Sequence, residues 1–90
     1  MKPKIYCFVH AVIFDSDVSV HALAEDGTFL AAHVSSSEQF AKHDIGLTSE
    51  RKHDAYRAHY PNGYELEWID DPSPGKHAGL DEAFAKSDGK

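Results

Sequence analysis

A chain of 90 residues is long enough to bury one hydrophobic core and short for two. Its composition, 41% hydrophobic and 27% charged, is that of an ordinary globular domain and excludes wholesale disorder. The net charge of −6 repels phosphate backbones at long range, against direct nucleic-acid binding, and Cys7, the only cysteine, excludes an intrachain disulfide and a single-chain cysteine zinc site.

The N-terminus, Met1-Lys2-Pro3-Lys4 before an apolar run, has the outline of a signal peptide. His10 interrupts the run, Asp15 and Asp17 follow it, and no small-residue cleavage site is present, so it reads as a strand. Nothing approaches the ~20 apolar residues of a membrane span. A cytoplasmic location in a reducing compartment is the expectation.

Ile5 to Phe14 is rich in β-branched and aromatic residues and almost continuously apolar, the pattern of a central strand covered on both faces. Asp15-Ser16-Asp17 supplies a turn, and Val18 to Ala24 and Thr28 to Ser35 read as two further strands joined through Asp26-Gly27, a hairpin signal of type I′. A two-residue loop sets Ala22 opposite Ala31, Val20 opposite His33 and His21 opposite Ala32. Ser35 with Glu38, or Ser36 with Gln39, has capping-box spacing for a helix that places Phe40 on the sheet and stops at Gly46, with Leu47 closing the end. Thr48-Ser49-Glu50 starts a second helix to about Tyr60, with Lys52, Ala55, Tyr56, His59 and Tyr60 on one stripe, ended by Pro61-Asn62-Gly63.

Tyr64 to Ile69 alternates, with Tyr64, Leu66 and Trp68 on one face and Glu65 and Glu67 on the other, as a fourth strand does. Asp70 to Gly75 ends it, and residues 70–90 read as a partly extended or weakly helical tail containing a short helix from Gly79 to Lys86. The whole of 1–90 is therefore expected to be one α+β domain, an antiparallel sheet in the order β-β-β-α-α-β with two helices packed on one face.

Seven histidines (10, 21, 33, 43, 53, 59 and 77) suggest metal binding or pH sensing, but no two within one predicted helix have the i, i+4 ligand spacing, and His21 and His33 fall on opposite faces of the hairpin. No metal and no cofactor is expected. Lys42-His43-Asp44 and Lys52-His53-Asp54 repeat, yet neighbours on a helix point about 100° apart, so neither His faces its Asp. Cys7 and His10, an odd number of strand positions apart, diverge, which leaves Cys7 as a core filler. Glu65 and Glu67 lie ~7 Å apart on one strand face, a glycosidase-like separation, but so small a domain has little material for a sugar cleft.

From Asn62 to Ala85 the acids are Glu65, Glu67, Asp70, Asp71, Asp81 and Glu82, against Lys76 alone. A row of carboxylates on a sheet edge complements the Lys and Arg of a basic protein surface. Arg57, Tyr60 and Tyr64 stand beside it and are residue types favoured at interface hot spots. The sequence thus points to a non-enzymatic binding protein, an inhibitor or regulator of the accessory or phage type that occludes a nucleic-acid-binding machine, with Glu65, Glu67, Asp70, Asp71, Tyr60, Tyr64 and Arg57 as its face. Two other readings are a small histidine-using enzyme or ligand-binding domain, and a homodimer joined through exposed sheet.

Overall fold

The computed structural model describes residues 2–46 and 54–88. The N-terminal apolar run forms β1 (Lys4–Ile13), and β2 (Asp17–Ala24) and β3 (Phe29–Ser35) follow it as an antiparallel meander. Two helices, α1 (Glu38–Gly46) and α2 (Asp54–His59), lead to β4 (Glu65–Trp68), and α3 (Ala78–Asp88) closes the fold. The strand order is β3-β2-β1-β4, so the apolar β1 is internal, as its composition requires.

The expectation of an antiparallel sheet holds for β1, β2 and β3, but β4 pairs parallel to β1, with Ile5 opposite Leu66 and Cys7 opposite Trp68, and the sheet is mixed. The reason is topological. The segment containing α1 and α2 takes the chain from one sheet edge to the other, and a helical crossover returns the next strand in the direction of the one before it.

Alternate residues of β1 feed two separate cores. Ile5 and Cys7 join Val18, Val20, Ala22 and Ala24 beneath Ala41 of α1 and Tyr56 of α2. Tyr6 and Phe8 join Leu23 and Ile69 beneath Leu80 and Ala83 of α3. The short helix expected from Gly79 to Lys86 is present and a little longer, at 11 residues, and it supplies the cover for the face that the other two helices leave bare. Leu80, Ala83 and Phe84 have the i, i+3, i+4 spacing that puts one stripe on the sheet.

Local chemistry shifts several boundaries. Because β3 runs through Ser35, the cap of α1 is Ser37, whose Oγ accepts the Phe40 N–H at 3.1 Å, and neither Ser35 nor Ser36 serves. Phe40 does not pack on the sheet; it is 53% exposed, and Ala41 is the buried residue beside it. The β2–β3 loop is Glu25-Asp26-Gly27-Thr28, with the Gly27 N–H on the Ala24 carbonyl, and only Gly27 in it takes a positive φ, 93°, so this is no type I′ turn. A register shift between Ala22 and Leu23 leaves Leu30 as the additional residue, so Leu23 pairs with Phe29, while the pairs Ala22–Ala31, His21–Ala32 and Val20–His33 stand as expected. Phe14, at the tip of the β1–β2 hairpin, has φ 47° and is 84% exposed, with Asp15 beside it at φ 63°. The expected cap at Thr48-Ser49-Glu50, together with Leu47 and Lys52, lies outside the described residues.

Candidate functional site

The acidic residues stand on and after β4, the edge strand beside β1. Glu65 pairs with Lys4 in the register and is exposed. Glu67 sits opposite Tyr6, on the face that α3 covers, and is not a surface carboxylate of the same kind. Its Oε1 accepts from Lys4 Nζ at 3.3 Å and its Oε2 lies 2.6 Å from His77 Nε2. His77 is the N-terminal cap of α3, since its Nδ1 lies 3.1 Å from the Leu80 N and accepts that N–H. With Nδ1 accepting, Nε2 carries the proton that His77 donates to Glu67. Both ring nitrogens are thereby committed, so the pair works as a clamp between β4 and α3.

Asp70 and Asp71 are exposed beyond the end of β4. Asp70 bonds Lys42 of α1 at 3.2 Å across the surface, and the Ser73 side chain and N–H hold the Asp71 carboxyl below the usual range. The two carboxylates, with Glu67, Trp68, Ile69, Lys76 and His77, line an open depression of 340 Å³. Trp68 faces the α1–α2 core, and its buried indole N–H meets no acceptor among the described residues.

The aromatic candidates divide between core and surface. Tyr60 is half-buried, with its hydroxyl 3.2 Å from Asp26 Oδ2, and burial raises its pKa. Tyr64 packs edge-on against Tyr56 at 5.7 Å, also with a pKa raised by burial. Tyr60 ties the end of α2 to the β2–β3 hairpin and Tyr64 packs on α2, while Arg57 is exposed on α2. Tyr56, buried, holds its hydroxyl 2.9 Å from His33 Nε2.

Cys7 and His10 lie on opposite faces, as the strand parity requires: Cys7 is in the α1–α2 core, and His10 stacks on His21 at 4.0 Å on the other side. Burial pushes the Cys7 thiol up to about 12. His10–His21 and Glu67–His77 are partnerships that spacing within one element does not reveal. The first joins the neighbouring strands β1 and β2, and the second joins β4 to the cap of α3 ten residues further on. Among the described residues no group of three or more His, Cys, Asp or Glu side chains could hold a metal ion. Comparison with protein-family models, with curated proteins and with solved structures returns no match.

Proposed function

We propose that this chain is a non-enzymatic contact protein, an inhibitor or regulator that applies the β4 edge to a basic protein surface. The observation that carries the reading is the joint exposure of Glu65, Asp70 and Asp71 along one sheet edge of a chain with net charge −6. Carboxylates on a rigid edge match the Lys and Arg of a groove built to hold phosphates, and occluding such a groove is how a small acidic protein blocks a nucleic-acid-binding machine. Glu67 supports the edge from behind through Lys4 and His77.

The test begins with capture of the partner from the native host and measurement of its association rate across a salt series. Reversing Glu65, Asp70 and Asp71 to Lys should slow association about tenfold or more at low salt, and the gap should close as salt rises. Asp70 can be included without unfolding the chain, because its bond to Lys42 is a solvent-exposed ion pair. An unchanged rate at low salt would reduce this edge to a solvated surface and remove the reading.

A further inference from the structure

The β3 edge is built differently from the β4 edge. Its sequence, FLAAHVS, contains no Lys, Arg, Asp, Glu or Pro, the residues with which edge strands ordinarily prevent pairing. The Ala24 N–H on the Thr28 carbonyl fixes the phase of the β2–β3 ladder. Together with the pairs Ala22–Ala31 and Val20–His33, that phase turns the main-chain groups of Ala31 and His33 toward β2. The N–H and C=O groups of Ala32 and Val34 therefore point away from the sheet, on the outer side of its edge strand. Phe29 is 53% and Val34 65% exposed on the same strand.

We propose that β3 is a self-pairing edge through which two copies of this chain join antiparallel into one continuous sheet. A twofold axis beside His33 sets Val34 opposite Ala32 of the second copy and Ala32 opposite its Val34, so that each exposed N–H meets an exposed C=O. The same register sets His33 opposite its own image at the non-hydrogen-bonded position, with the small Ala32 and the apolar Val34 on either side. Charge selects this edge over the other. With strands spaced ~4.8 Å, joining at β3 holds the two β4 edges ~34 Å apart, several Debye lengths at physiological salt, whereas joining at β4 would press Glu65, Asp70 and Asp71 onto their own images. The acidic edge is left open in the pair, so self-pairing is independent of the partner proposed above.

Sedimentation velocity of the full chain from low to high micromolar concentration should show a shift from one chain mass to two. Hydrogen exchange at the Ala32 and Val34 amides should slow in step with that shift. Val34→Lys should weaken pairing about tenfold or more. Ala32→Pro should abolish it, since it removes an outward N–H that β2 does not use. Phe14→Ser, at the far hairpin tip, should leave it unchanged. Raising salt should tighten the pair, by screening two chains of like charge, in contrast with the weakening expected for a basic partner. If Ala32→Pro fails to fold, Val34→Lys and the exchange rates decide the matter. A chain that stays monomeric at high concentration overturns the proposal, whether or not the edge takes a strand from another protein. So does a dimer that survives Val34→Lys, or one that dissociates in Phe14→Ser.

Discussion

His10 and His21 stack with their ring planes 9° from parallel and their centroids 4.0 Å apart, on the stretch of sheet that α3 leaves uncovered. Phe8 and Phe29 meet His21 edge-on at 6.1 and 5.2 Å. Burial among these rings, and then the neighbouring His10, lowers the pKa of His21. The folded protein therefore binds the His21 proton less readily than the unfolded chain, whose histidine titrates near 6.5. The stability from this site is complete above about pH 6.5 and is lost as pH falls from there through the lower folded value. Urea unfolding at pH 7.5 and at pH 5.5 should show a fall that is smaller in His21→Asn than in the parent protein, and His10→Gln should lie between them. Equal falls in all three would place the pH dependence in other histidines.

This pair marks where reading along the chain stops being sufficient. Elements built on local pattern are legible: β1 from its apolar run, the β2–β3 pairs from Ala22–Ala31 outward, though not the Leu23–Leu30 and Ala24–Phe29 pairs that a two-residue loop implies, and the Leu66 and Trp68 face of β4 from alternation. Phe40, apolar and close to the capping serines, has the local pattern of an inward residue, but Ala41 takes that position. The direction of β4 follows from the crossover that α1 and α2 provide, a fact about connectivity that no single segment contains. The small residues of α3 make its local signal weak. Leu80 and Ala83 gain their value only against Tyr6 and Phe8 on the second face of β1. Of the site, the exposure of Glu65, Asp70 and Asp71 could be read from composition and alternation. The inward role of Glu67 could not, because it depends on His77 arriving from the far side of the Pro-Ser-Pro-Gly turn.

Glu67→Lys should therefore act on stability as well as charge. It removes the acceptor for His77 Nε2, which positions the cap of α3, and sets a cation beside Lys4. Loss of a partly buried, charge-assisted bond costs about 1–2 kcal/mol. Glu65→Lys, on an exposed position of the same strand, should change stability by less than about 0.5 kcal/mol. Paired urea titrations test this, and equal midpoints for the two variants would show that the clamp contributes nothing.

Gly27 and Gly75 separate backbone strain from packing. Both have positive φ, 93° and 86°. A Cβ at Gly27 would sit 2.8 Å from Lys86 Cβ and from the Ser87 N, whereas at Gly75 it would meet nothing within 4 Å. Gly75→Ala should cost only the left-handed penalty of roughly 1 kcal/mol. Gly27→Ala should cost about 1–2 kcal/mol more, because the β2–β3 hairpin must back away from the end of α3. In thermal unfolding of a domain this size the difference amounts to roughly 4–8 °C per kcal/mol. Equal shifts for the two variants would mean that the hairpin and α3 are not in firm contact.

Cys7 offers a direct test of the α1–α2 core. It is 1% exposed among Ile5, Val20 and Ala22, and burial holds its thiol pKa at about 12, with the Tyr56 hydroxyl pulling weakly the other way. At pH 8 the thiolate fraction is then on the order of one in ten thousand, against a sizeable fraction for a free cysteine. Labelling with iodoacetamide in native buffer should proceed only as fast as the core opens, and in urea it should reach the free-thiol rate. Tyr56→Phe removes a hydroxyl that favours the thiolate while keeping the ring, so it should leave native labelling as slow or slower. Cys7→Ala should cost about 1–2 kcal/mol through the space it leaves beneath Tyr56, without any effect on the acidic edge. Rapid stoichiometric labelling of the folded protein at neutral pH would show that the core admits reagent, and the sulfur would then have to be considered for chemistry that its burial excludes.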